Sequence, residues 1–268
     1  MAKLSKGIKS LLGSALKILK RACRYGLAIA AVISAGYLIM NADQLQRDYL
    51  RATVGSKVVR IVRLDEKGDV RGGGTGFLVK APSGTSYILT NSHVCAMAVA
   101  GELIVEMPGG NLLSRRVVQD SDWTDLCLVE GLPGQEGLEL AGSYDVGEMV
   151  AAVGHPHLMP LTISKGEIVS HTETTYLSGI IGFGKEEKDC QRKYNKIEDL
   201  DTFFGPIRVC TVTVKSLQTT IVGLPGNSGS PIVNAYGHLV GVLFAGDNDV
   251  HWSMIVPLED INKFLKAY

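Results

Sequence analysis

From Lys57 onward the chain is cut into short apolar or alternating runs separated by glycine, proline and charged clusters. That rhythm restricts it to folds built from many short strands. KVVRIVRL, GTGFLVK, SYILTNS, ELIVEM, DLCLVE and MVAAVG make a first set, and LTISKGEIVS, RVCTVTV, SPIVN, HLVGVLF and WSMIVP a second. Each run has the length of a strand rather than of a helix, so the pattern predicts an all-β barrel or sandwich. Between the sets, residues 182–207 (GFGKEEKDCQRKYNKIEDLDTFFGPI) are charged and aperiodic, and a loop of that length in a compact domain is functional or disordered. Helical pattern flanks the strands. Residues 42–54 read as a short polar connector, and PLEDINKFLKAY closes the chain with Ile261, Phe264 and Leu265 on one side.

The first forty residues differ in kind. Over residues 1–24, Leu4, Ile8, Leu11, Leu12, Ala15, Ile18, Leu19 and Ala22 share one helical face, and seven Lys and Arg side chains fall on the opposite arc. A cationic amphipathic helix of this type suits an anionic membrane surface. Residues 25–40 (YGLAIAAVISAGYLIM) carry no charge. Sixteen helical residues reach about 24 Å, slightly short of a hydrocarbon core of about 30 Å. A membrane anchor, a cleaved signal peptide and a buried core helix all compete for this segment. The long basic region and the lack of a small-x-small site before Asn41 favour an uncleaved signal-anchor. The basic flank then predicts a cytoplasmic N-terminus and a main domain outside the cytoplasm. An acid-free basic helix also fits a mitochondrial presequence, which leaves the periplasm, the extracellular side and the intermembrane space open.

The formal net charge of +0 conceals an asymmetry. Seven of the 27 basic residues precede the first acid, Asp43, so the remainder has 20 bases against 27 acids, a net of −7. An acidic main domain without a basic stripe argues against nucleic acid as a partner. Five cysteines are too few for a disulfide-dense scaffold, and their spacing contains no C-x-x-C or zinc-type cluster. GGGTG at 72–76 lacks the lysine of a phosphate-binding loop and reads as a turn. Cys95 and Cys127, in apolar runs, read as small buried core residues.

GLPGNSGSP, residues 223–231, boxes one serine among three glycines. It is either a glycine-rich turn or a turn that exposes the Ser228 hydroxyl while aiming backbone N–H groups at one point. A serine hydroxyl becomes a nucleophile only beside a base, and the base needs a third group to orient it. His155, His157, His171, His238 and His251 lie in turn-like or strand-end contexts and read as solvated or packed. His93 ends the apolar run SYILTNS, where a side chain can face a cleft. Asp125 opens DLCLVE, where its carboxylate can be partly buried beside an imidazole.

TNSHV, TDLCLVE and GNSGSPIVN, in that order, resemble the His, Asp and Ser motifs of trypsin-like serine peptidases, particularly the HtrA/Deg type. GTGFLV, KGEIVS and the MIVPLEDINKFL ending resemble that type as well. The resemblance covers about residues 55–266, broken by an insertion at about 172–209. It implies two six-stranded antiparallel β-barrels with the site between them, followed by a C-terminal helix. It also implies no metal and no cofactor. By the same resemblance Ser228 is the nucleophile, His93 the general base and acid, and Asp125 the group that orients the imidazole. The N–H groups of Gly226 and Ser228 form the oxyanion hole. Two departures stand out. Asn227 occupies the place where zymogen-type trypsins carry an aspartate, so activation by a cut N-terminus is not expected. Ser230 stands where the family usually has a second glycine.

By the same resemblance Val222, six residues before the serine where trypsins place the acid that binds Lys or Arg, and Leu243, Phe244 and Ala245 on the opposing strand are expected to line an apolar substrate pocket. A basic side chain there would lack a partner. The expected protein is a membrane-anchored serine endopeptidase acting on peptides or unfolded protein, after small or medium apolar residues. Residues 1–40 would supply the membrane contact. The resemblance is to the protease domain of that type, no PDZ domain is expected, and a homotrimer is compatible with it. Alternatives are a catalytically silent binding module on the same fold, or a peptidase that mainly processes itself. Cys190 and Cys210 bracket the insertion and would pair in an oxidising compartment.

Overall fold

Side chains that alternate between two apolar environments turn the strand runs into two sheets. The computed structural model describes residues 32, 34–37, 39–121, 124–181, 184–185, 187–190, 195–202, 205–247 and 251–268. The first sheet holds β1 (Val58–Leu64), β2 (Val70–Lys80), β3 (Ser86–Thr90), β4 (Glu102–Glu106), β5 (Leu112–Ser121) and β6 (Leu126–Val129). It is a closed barrel in the order β1-β2-β3-β6-β5-β4, sealed by antiparallel pairing of β1 with β4.

The second sheet is built from β7 (Met149–Gly154), β8 (Thr162–Ile181), β9 (Gly184–Lys185), β10 (Asn195–Thr202), β11 (Gly205–Thr219), β12 (Pro231–Val233), β13 (Leu239–Asp247) and β14 (Trp252–Pro257). Its eight strands run β10-β11-β14-β13-β12-β7-β8-β9. An additional β8–β11 ladder makes the pairings cyclic through β11, β14, β13, β12, β7 and β8.

Three apolar clusters follow from the period of two. Val59, Ile61, Leu78, Ile88, Cys127 and Val129 fill the first barrel. Val150, Ala152, Ile168, Leu217, Ile232 and Ile255 form the corresponding cluster of the second sheet. The residues between them in sequence, among them Val58, Leu126, Leu128, Ala151 and Val153, turn the other way into a cluster shared by both sheets. Each fully buried Leu, Ile, Val or Phe contributes roughly 1.5–3 kcal/mol relative to exposure, so the shared layer fixes one sheet against the other. The C-terminal helix, Leu258–Leu265, adds Ile261, Phe264 and Leu265 to that layer, as its amphipathic pattern predicts.

The chain divides into two units, Met1–Asp48 and Tyr49–Tyr268. In the first, every described residue is helical, with an Arg47–Asp43 ion pair one turn apart at 2.9 Å. The basic helix expected over 1–24 and most of the anchor expected over 25–40 lie outside the described residues. Among the described residues no helix is long and apolar enough to cross a membrane. In the second unit residues 49–53 are helical, and Leu50 and Val54 are fully buried in the shared layer.

The inserted segment corrects its expected reading. Where an aperiodic loop was expected over 182–207, the described part forms β9, a helical turn at Glu187–Cys190 and β10, which pairs with β11 from Asn195–Val212 to Thr202–Gly205. Most of β10 is exposed, including Leu200 at 51%. With no buried face, its sequence has no reason to alternate, and the backbone ladder alone defines the strand. Cys190 and Cys210 form a disulfide that ties the helical turn to β11.

Candidate active site

The segments that carry His93 and Ser228 meet at β2, and the one that carries Asp125 meets the His93 turn. His93 lies in a single helical turn, Ser92–Cys95, just after β3, so it is helical where the end of a strand was expected. Asp125 precedes β6 in a left-handed conformation (φ 49°), a costly backbone state for a residue with a side chain. Its carboxylate is buried (1% exposed) and would be strongly destabilising without partners. The partners are present. Asp125 Oδ1 accepts the backbone N–H of His93 at 3.0 Å, and His93 Nδ1 lies 2.8 Å from Oδ2 and 3.1 Å from Oδ1. The Asp125 carbonyl accepts from Asn91 Nδ2 at 2.9 Å. Since a carboxylate only accepts, Nδ1 must carry the hydrogen, which leaves the lone pair of the neutral ring on Nε2. The His93 side chain remains 46% exposed.

Ser228 is half-buried in the turn between residues 224 and 230, held from three sides. Gly229 N–H donates to Leu243 O (2.8 Å), Leu243 N–H to Ser230 O (3.0 Å) and Thr75 N–H to Ser228 O (2.8 Å). Thr75 Oγ1 donates to Gly226 O (2.8 Å) and accepts from His155 N–H (3.1 Å), and Thr90 Oγ1 donates to Thr75 O (2.7 Å). Thr75 is therefore a buried hub that sequence reading missed; its only signal was the threonine inside GGGTG. Neighbouring Gly74 explains the glycines. A Cβ there would lie 2.8 Å from Val94 Cγ2 and 2.9 Å from Ser228 O, so the His93 turn and the Ser228 loop meet at one point.

Gly226 takes φ 89° and Gly229 φ 85°, values that only glycine adopts cheaply. Gly226 packs against a second tight turn. His157 N–H donates to Pro225 O at 2.5 Å, and a Cβ at Gly226 would lie 2.5 Å from His155 O. His157 and Leu158 both have positive φ (51° and 57°), and the Arg60 guanidinium, paired with Glu106, also binds Leu158 O. His155 sits in this turn with Nδ1 2.9 Å from Met159 O. Burial holds its imidazole below its usual value, outweighing the bond to Met159. Among the described residues neither Gly226 N–H nor Ser228 N–H donates to a backbone carbonyl. Backbone N–H groups without such a partner can serve an anionic oxygen.

The four residues expected to line one pocket are divided. Leu243 packs with Ile221, Ile232 and Ile255, whereas Phe244 belongs to the layer between the sheets. The register of β13 shifts between Leu243 and Ala245, and the Leu243 and Phe244 side chains fall in different apolar clusters. Val222 and Ala245 are half-buried. Beside them the backbones of Gly223 and Gly246 nearly touch: a Cβ on Gly223 would lie 2.6 Å from Gly246 Cα and 3.1 Å from Ser253 Cβ. Cys95 and Cys127 are buried as expected (5% and 0%), but they are joined in a disulfide. Their separation of 32 residues gave no sign of the pairing.

Residues 74–242 match the family model described as "Trypsin-like peptidase domain". The chain is 32% identical over 173 residues to "Serine protease Do-like HtrB" of Bacillus subtilis, covering 63% of this chain and 31% of that protein. It is 30% identical over 187 residues to a "Probable periplasmic serine endoprotease DegP-like" of Pseudomonas putida, covering 68% and 31%. The chain thus spans about a third of the length of the curated relatives it matches. Among solved structures, the active form of the Rv3671c protease from M. tuberculosis is similar, with a TM-score of 0.60 and 20% identity over 82% of this chain and 83% of that one. The serine endoprotease from Yersinia pestis is similar with a TM-score of 0.57 and 20% identity, covering 82% and 66%.

Proposed function

Because the chain belongs to the trypsin-like peptidase domain family, we propose that it is a serine endopeptidase of the HtrA/Deg type, with His93, Asp125 and Ser228 as its triad. The observation that carries this reading is the pair of bonds from the buried Asp125 carboxylate to the His93 ring and backbone. That pairing supports Nε2 as the base. Nε2 takes the Ser228 proton as Oγ attacks the scissile carbonyl, and Asp125 stabilises the resulting imidazolium. The oxyanion is received by the N–H groups of Gly226 and Ser228. His93 then returns the proton to the leaving amine, and water hydrolyses the acyl-enzyme by the same exchange.

The close approach of Gly223 and Gly246 beside Val222 and Ala245 supports cleavage after small apolar residues, the lower end of the expected range. The sequence of residues 1–40 supports anchoring to a membrane with the peptidase domain outside the cytoplasm, acting on peptides or unfolded proteins. The test is digestion of an unfolded protein by the full chain, with products read by mass spectrometry. The proposal expects new termini after Ala, Val or similar residues and none with Ser228→Ala. Identical products from wild type and variant would refute it.

A further inference from the structure

Assuming the catalytic roles proposed above for His93 and Asp125, we infer that the Cys95–Cys127 disulfide is a positioning element of that pair, not merely core packing. Cys95 follows His93 by two residues and Cys127 follows Asp125 by two. The two short segments are therefore cross-linked twice, by the imidazole–carboxylate bond at one end and by the covalent bond at the other.

The local structure needs such a link. A four-residue helix does not sustain itself, because nucleation of a single turn is unfavourable. Asn91, at its N-cap, makes no side-chain capping bond and spends its amide on Asp125 O instead. The turn's own backbone bonds are local, such as Cys95 N–H to Asn91 O (3.1 Å) and Ala96 N–H to Ser92 O (2.9 Å), and the His93 N–H ties it to Asp125 Oδ1 at 3.0 Å. On the other side, Asp125 occupies a left-handed backbone state that persists only where its surroundings over-determine it. Strand β6 begins at the next residue, and there Cys127 pairs with Thr90 on β3 and Asp120 on β5. The disulfide transmits the rigidity of this central strand to a helical turn that has little of its own. Reduction by a dithiol would add two electrons and two protons, yielding two thiols while the reductant closes to its own disulfide. His93 would then be held by its hydrogen bonds to Asp125 and by the packing of neighbouring Val94 in the first barrel.

The test compares the full-length chain, Cys95→Ala/Cys127→Ala, and Cys190→Ala/Cys210→Ala as a control for disulfide loss in general. The readouts are kcat and KM on one peptide substrate, and the low-field proton resonance of His93 Nδ1–H. Small misplacements of catalytic groups reduce turnover more than binding, so the first variant should lose about tenfold or more in kcat with KM within about twofold. Its low-field resonance should broaden or vanish, while the control keeps both. Retention of kcat within about twofold, together with the resonance, would overturn the inference. Should the alanine pair fail to fold, dithiothreitol titration of folded wild type, with thiol alkylation tracking the bond, carries the same two outcomes, and reoxidation must restore what reduction removed. If the oxidised wild type hydrolyses nothing, the proposed activity has failed, and the resonance alone still decides this inference.

Discussion

Gly226→Ala is the substitution whose cost can be followed furthest from the structure. Gly226 has φ 89°, and the added methyl would lie 2.5 Å from His155 O, 2.8 Å from Leu158 N and 3.0 Å from His157 N. All three are backbone atoms. They belong to a turn closed by Leu158 N–H to His155 O at 2.9 Å and anchored by His155 N–H on Thr75 Oγ1, so they cannot retreat cheaply. A positive φ costs a residue with a side chain about 1–2 kcal/mol on its own. The least expensive relief is rotation of the Pro225–Gly226 peptide, which carries the residue-226 N–H away from its place in the loop. Loss of one oxyanion donor raises the barrier by about 3–4 kcal/mol, or about 10²–10³-fold in kcat. Initial rates on a chromogenic peptide and guanidinium unfolding separate the two effects. The expected result is that fall in kcat, KM nearly unchanged, and stability lowered by about 1–3 kcal/mol. A variant destabilised by that amount but within about threefold of wild-type kcat would show that the Gly226 N–H does not stabilise the transition state.

Ser230→Ala should stabilise the protein by about 1 kcal/mol in chemical denaturation, because Ser230 Oγ is buried among the described residues without a hydrogen-bond partner. His155→Asn should flatten the pH dependence of stability. Unfolded, the imidazole gains its proton near 6.5, but burial delays this in the fold, so stability falls as pH drops below 6.5 and levels off once the folded ring is protonated. Thermal scans across that window should show a shallower slope for Asn, which retains a donor toward Met159 O. Cys190→Ala/Cys210→Ala removes a link across 20 residues and should cost about 3 kcal/mol, read by urea unfolding.

Sequence reading succeeded where burial imposes a period. In β6 and β7 alternate residues belong to different apolar clusters, so both faces are buried and each strand reads as an unbroken apolar run of strand length. The amphipathic C-terminal helix was legible for the same reason. It failed where structure comes from backbone pairing or from contacts distant in the chain. Strand β10 is charged and exposed, so its composition resembles that of a loop although its ladder with β11 is continuous. The tight turn at His157 and Leu158 places positive φ on residues that seldom adopt it, and only Pro156 hinted at a bend. Thr75 joins four segments by hydrogen bonds that no local pattern encodes. Leu243 and Phe244 were assigned to one pocket because both lie on the strand opposing Val222. The register shift of β13 between Leu243 and Ala245, and the division of the two side chains between different clusters, leave no local sign in the sequence.

The central claim is that His93, held by Asp125, activates Ser228. Labelling of the full-length chain with a fluorophosphonate probe addresses it directly, comparing wild type, Ser228→Ala and His93→Ala, with the modified residue located by mass spectrometry. The account predicts modification at Ser228 in wild type and none in either variant. Folded wild type that resists the probe, or equal labelling of His93→Ala, would contradict it.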